Sequence, residues 1–151
     1  MVSLDIDWAL ILDHLYHLAV AYILALPIGW DRETSRRRFG LRTFPLVALA
    51  ACGFMLTGIH VLNSTEAEGR VIQGIITGIG FIGGGAILKG QSTVKGTATA
   101  ASIWNTGAIG IAVAYNRFEI AAVLSLLNFL TLRLVGEVKE KVSSHYEDKS
   151  T

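Results

Sequence analysis

Between Glu68 and Glu119 the chain has no acidic residue, although Arg70, Lys89, Lys95 and Arg117 fall inside that interval. A water-soluble domain needs a charged outer face. A stretch this long without carboxylates must instead set its apolar surface against lipid or other membrane helices. The composition of the whole 151-residue chain agrees: 52% of residues are hydrophobic and 17% charged, against about 25% charged in soluble domains. The charges also gather at the junctions between apolar runs. One all-α domain is expected, a polytopic membrane helix bundle over residues 1–135, followed by a short polar cytoplasmic tail over 136–151.

Five apolar runs approach the roughly 20 residues a helix needs to cross about 30 Å of hydrocarbon. The first is expected from Trp8 to Trp30, two tryptophans about 33 Å apart at a 1.5 Å rise per residue, which suits an interfacial belt at each side. Pro27 loosens its inner end without forbidding the span. The others are expected at Thr43–Leu62, Val71–Leu88, Ala98–Ala114 and Phe118–Val135. Asn63–Arg70 reads as a polar connection, and so does Lys89–Thr97. With the N-terminus outside, the inner side collects Arg32, Arg36, Arg37, Arg38, Arg42, Lys89, Lys95, Arg133, Lys139, Lys141 and Lys149, leaving only Arg70 and Arg117 outside. Eleven against two is a strong positive-inside bias, so the expected topology is N-out, C-in.

Several function classes drop out. A formal net charge of +1, with the arginines concentrated in one loop, argues against nucleic-acid binding. Cys52 is the single cysteine, so no intrachain disulfide forms, and its apolar surroundings read as those of a buried small hydrophobe. The acidic Met1–Asp7 stretch lacks the basic region of a cleaved signal peptide, so the first run is expected to be retained. No Ser/His/Asp arrangement, H-E-x-x-H or Walker motif is present, so no enzyme and no cofactor are expected. The third and fourth runs offer no carboxylate for Mg²⁺.

Gly78-Ile79-Gly80-Phe81-Ile82-Gly83 matches G-x-G-x-x-G, but a dinucleotide site also needs a preceding strand and an acidic residue about 20 positions on. The better reading takes Gly74 with Gly78, and Gly80 with Gly84, as small residues one turn apart that let another helix approach. Gly83-Gly84-Gly85 is poor helix material, which leaves a broken or re-entrant third segment as the alternative. Thr99, Ser102 and Thr106, with Asn105 beside them, share a polar face suited to interhelical hydrogen bonds. Thr97 and Thr99 are candidate caps for that helix. Asp13 and His17, four apart, suit a mutual hydrogen bond near the outer interface better than a metal site, and His14 lies beside them. Asp31 is expected to pair with Arg42 across the loop, pinning two helix ends, so Arg42 should matter more than Arg37. Arg36, Arg37 and Arg38 suit topology and attraction to anionic lipid.

Taken in order, Ile28-Gly29-Trp30-Asp31-Arg32, Gly40-Leu41-Arg42-Thr43, Gly78 to Gly85 with Ala86-Ile87-Leu88, and Val94-Lys95-Gly96 followed by Thr99-Ala100-Ala101-Ser102-Ile103-Trp104 resemble the MgtC/SapB family of bacterial inner-membrane proteins. The resemblance covers most of Ala25 to Arg133. It implies a small plasma-membrane protein tied to growth at low magnesium and, in pathogens, to survival inside phagocytes. It also implies a regulator rather than a magnesium carrier, one that acts on the F-type ATP synthase through contacts within the membrane. Family members often carry Glu at the position of Asp31, and some carry Asn and Cys at those of Ala98 and Asn105. Many continue into a soluble C-terminal domain, which is expected to be missing here.

Two functions are therefore weighed. One is a membrane regulator acting by helix–helix contact with a membrane protein or with a second copy. The other is a small ion or solute transporter built from the glycine segment and the polar fourth segment. Residues expected to carry either are Asp31, Arg32, Arg42, Thr43, Gly78, Gly80, Gly83, Gly84, Lys95, Gly96, Thr99, Ser102, Trp104 and Asn105.

Overall fold

The computed structural model describes residues 7–34, 40–90 and 93–136. Arg36, Arg37, Arg38 and the tail beyond Gly136 lie outside the described residues. Asp7 starts the first helix: its Oδ1 accepts hydrogen bonds from the N–H groups of Ala9 at 3.0 Å and Leu10 at 3.2 Å, satisfying donors with no partner inside the helix. Helix α1 then runs from Trp8 to Thr34 through Pro27. It outlasts the expected end at Trp30 by one turn because the Thr34 hydroxyl donates to the Trp30 and Asp31 carbonyls at 3.1 and 3.0 Å.

Helix α2 covers Thr43–Val61, α3 Thr65–Gly85, α4 Thr97–Ala114 and α5 Phe118–Leu130, the last continued by a π-helical turn at Thr131–Val135. Three of these units are long and apolar enough to cross a membrane: α1, α2, and α5 with its π turn. Helix α3 differs from expectation at its start. The Asn63–Arg70 segment is mostly helical, because the Ser64 hydroxyl accepts from the Ala67 N–H at 3.2 Å. Glu66 and Glu68 then sit in the first turn, where carboxylates suit the helix dipole, and Arg70 pairs with Glu66 one turn on. At its other end α3 stays helical through Gly83 and Gly84 to Gly85 and stops there. The chain turns with the Ala86 N–H bonded to the Gly83 carbonyl and the Ile87 N–H to that of Gly84.

Between α3 and α4 lies a small antiparallel ladder absent from the sequence expectation, β1 (Leu88–Lys89) on β2 (Val94–Lys95), with Leu88 opposite Lys95. Gly96 closes it at φ 91°, and a Cβ there would strike the Ala86 carbonyl. Gly96 is also the residue that opens α4. Neither Thr97 nor Thr99 caps the helix, because Thr97 is already its first residue and Thr99 is buried in the next turn.

Helix α4 is the centre of the bundle, in contact with α1, α2, α3 and α5. Its Ile103, Thr106, Ile109 and Val113 are buried with Ile28, Phe44, Met55 and Cys52 in one core. Glycine sets the spacing of the layers. A Cβ on Gly110 would lie 2.9 Å from the Cys52 nitrogen and the Ala51 Cβ, and one on Gly107 would enter the Ile79 side chain. So α2 and α3 press on α4 at almost backbone distance. The outward faces are apolar: Leu12, Ile23, Phe54, Leu126 and Leu134 are exposed, as are Trp8 and Trp30. In water such surfaces would aggregate; in a bilayer they are ordinary.

Candidate functional site

The Ile28-Gly29-Trp30-Asp31-Arg32 motif at the end of α1 forms a close junction with the start of α2. Gly29 lets the α2 entry pass, since a Cβ there would be 3.2 Å from the Leu41 Cα and 3.3 Å from the Gly40 oxygen. The Glu33 carboxylate accepts from the Leu41 N–H at 3.2 Å, stapling the two helix ends. Asp31 does not reach Arg42. It binds its neighbour Arg32, whose Nε donates to the Asp31 Oδ2 at 3.0 Å, with the two side chains only 8% and 11% exposed. Arg42 is exposed and precedes α2 without a side-chain cap, and Thr43 follows it half-buried with its N–H on the Gly40 carbonyl. Helix-end pinning thus falls to Glu33, and the buried charge to Arg32. Four-residue spacing from Glu33 was not a guide, because the bond crosses a loop.

The polar face of α4 is engaged with α5. The Ser102 hydroxyl donates to the Asn128 Oδ1 at 2.9 Å, and the Asn105 Nδ2 donates to the Leu124 carbonyl at 3.3 Å. Thr106 donates to the Ser102 carbonyl one turn back. Ser125, on the same helix as Asn128, donates to the Leu24 carbonyl of α1 at 2.6 Å. Ser125 and Asn128 were missed in the sequence, although their spacing of three places both on one face.

The glycines of α3 divide into two groups. Gly83 faces α4, 3.2 Å from where its Cβ would be to the Ala100 carbonyl. Gly74, Gly78, Gly80 and Gly84 face outward, with nothing among the described residues within 4 Å of an added Cβ. Gly74 and Gly78 line an apolar groove of about 620 Å³ between α2 and α3, together with Ala50, Phe54, Gly58 and Ile82. Phe81, next in sequence to the groove-lining Ile82, is 86% exposed. Lys95 is exposed on the ladder, and Trp104 lines a second groove. Gly78 to Gly83 lies wholly within α3, so its match to a dinucleotide fingerprint has no strand before it.

At the opposite end from Arg32, the buried His17 ring joins α1 to the turn before α5. Its Nδ1–H donates to the Asp13 main-chain carbonyl at 2.8 Å, with the Asp13 carboxylate further off at 3.5 Å, and its Nε2 lies 2.9 Å from the Asn116 amide oxygen. His14 meets His60 of α2 edge-on, ring centres 4.8 Å apart. Among the described residues no three His, Cys, Asp or Glu side chains converge as metal ligands would. Tyr115 ties α4 to α3 at this end, its hydroxyl donating to the Glu68 carboxylate at 2.6 Å. Burial, then the Glu68 hydrogen bond and charge, push the Tyr115 phenol up from 10.0 to about 12. The tie needs the neutral phenol, so it is complete below pH 10 and is lost as pH rises through about 12. Ultraviolet titration should find one tyrosine ionising near there, and Tyr115→Phe should remove that transition.

A helical bundle with lipid-compatible outer faces and three helices of spanning length is the architecture of an integral membrane protein. The chain belongs to the MgtC family, whose sequence profile matches residues 18–141. It is 31% identical over 134 residues to protein MgtC of Salmonella typhimurium, covering 89% of this chain and 57% of that one. It is 36% identical over 115 residues to an uncharacterized protein of Synechocystis, covering 76% of this chain and 49% of the relative. It is 31% identical to protein SrpB of Synechococcus elongatus over 78% of this chain and 71% of SrpB. The chain thus spans about half the length of the first two curated relatives it matches. No solved structure matches it.

Proposed function

We propose that this protein is a multi-pass regulator of the bacterial plasma membrane, N-out and C-in, that acts by docking a transmembrane helix of a membrane partner into the groove between α2 and α3. The observation that carries this reading is the set of open α3 glycines. Among the described residues nothing lies within 4 Å of a Cβ added at Gly74 or Gly78, yet both present bare backbone along an apolar groove, as close helix–helix contacts require. By family resemblance the first partner to test is the F-type ATP synthase, with a second copy of the chain next, in the setting of magnesium limitation and virulence. Orientation is supported by the described charges: Arg32, Arg42, Lys89, Lys95 and Arg133 at one end of the bundle, Arg70 and Arg117 at the other. No catalysis is proposed.

The transport reading is less well supported. Ser102, Thr106 and Asn105 are bonded to main chain or to Asn128, and the α2–α3 groove is lined by none of them. The test is Gly78→Leu, with Gly74→Leu as its companion. A Cβ at either position meets nothing within 4 Å among the described residues and the leucine extends into the open groove, so unfolding temperature and abundance should stay close to wild type. Co-purification of the synthase, or of a differently tagged second copy, should fall about tenfold or more. Retention of both at wild-type levels by the folded variants rejects the reading.

A further inference from the structure

The second groove, about 450 Å³, lies on the other flank of α3, between α3, α4 and α5. Its floor exists because Gly107 lets Ile79 close over α4. Its wall follows α4 from Trp104 to Tyr115, and Arg117 stands at the Tyr115 end. Eleven residues of helix at a 1.5 Å rise make a groove about 16 Å long, against about 15 Å for one leaflet of a 30 Å hydrocarbon core. Length and lining therefore suit a single acyl chain entering from one membrane surface.

The mouth bears opposite charges. Arg117 is exposed and makes no ion pair or side-chain hydrogen bond among the described residues, unlike Arg70, which is held by Glu66. Tyr115, which lines the groove at the same end, donates its hydroxyl to the Glu68 carboxylate. A guanidinium favours a phosphate, and a neighbouring carboxylate favours an ammonium while repelling a headgroup with net negative charge. We propose that this groove binds one phospholipid with an ethanolamine headgroup, its phosphate on Arg117, its ammonium toward Glu68 and one acyl chain along α4 as far as Trp104. The bound lipid would brace α3 against α5, two helices that otherwise meet mainly through α4.

The test is native mass spectrometry of the full chain, delipidated in detergent and re-equilibrated with bicelles containing phosphatidylethanolamine or phosphatidylglycerol. Wild type should retain one phosphatidylethanolamine several-fold better than phosphatidylglycerol. Arg117→Gln should lower occupancy by either lipid about tenfold, the scale of one lost charge-assisted hydrogen bond. Ala108→Phe, which fills the groove and leaves the mouth intact, should remove the bound lipid as well. Glu68→Gln should keep the lipid and abolish the headgroup preference. Three results overturn the assignment: equal retention by wild type, Arg117→Gln and Ala108→Phe, as for an unspecific lipid annulus; tighter binding of phosphatidylglycerol; or a dimer, disrupted by Ala108→Phe, in place of a lipid adduct. Because none of these variants touches Gly74 or Gly78, failure here leaves the partner-docking test independent.

Discussion

Gly110→Leu is expected to prevent accumulation of the folded bundle, and Gly110→Ala to cost about 3 kcal/mol or more. Gly110 sits where α4 crosses α2, and even one added carbon would meet the Ala48 carbonyl oxygen, the Cys52 nitrogen and the Ala51 Cβ. Overpacking typically costs about 1–3 kcal/mol when side chains can shift. Here two of the three obstacles are backbone atoms of a buried helix, which move only if α2 separates from α4. That separation would open the core around Met55, Ile103 and Ile109. Thermal unfolding in detergent should show the loss directly. The contrast is Gly80→Ala, where nothing lies within 4 Å: no penalty is expected, and relief of the glycine helix cost contributes up to about 1 kcal/mol of added stability.

The second large effect is expected at Arg32. Removing one member of a buried ion pair leaves the other charge without compensation, a loss of about 3–5 kcal/mol. Arg32→Ala would strand Asp31, which is only 11% exposed. The same change at Arg42, which is exposed and does not reach Asp31, should shift unfolding little. The double variant Asp31→Leu with Arg32→Met should recover most of the loss, since well-packed apolar replacements of buried pairs are often neutral. A double variant no more stable than Arg32→Ala would assign Arg32 some contact other than Asp31.

The helices were legible because apolar runs of membrane length leave few alternatives, and α2, α4 and the α5 unit fall within one or two residues of expectation. Helix α3 was misread at its start because Glu66, Glu68 and Arg70 look like a loop to a hydropathy argument. The Ser64 cap that makes them helical is a local signal of a different kind. Glycine spacing revealed that α3 has small-residue faces, but spacing is blind to what lies opposite. Gly107 and Gly110 carry the internal packing, whereas Gly74 and Gly78 turn to open space. For the same reason the Ser102 and Asn105 face was legible while Asn128 and the Leu124 carbonyl were not. Those partners are set by how α5 docks, and docking depends on the whole bundle.

The assignment of Gly74 and Gly78 to an outside helix, and of Gly107 and Gly110 to the fold, is tested most directly by a photo-crosslinking side chain placed at position 78 in intact membranes. The expected product is a discrete adduct with a synthase subunit or a second copy, identified by mass and abolished by Gly74→Leu. Adducts with lipid alone, or none to any protein, would contradict the account.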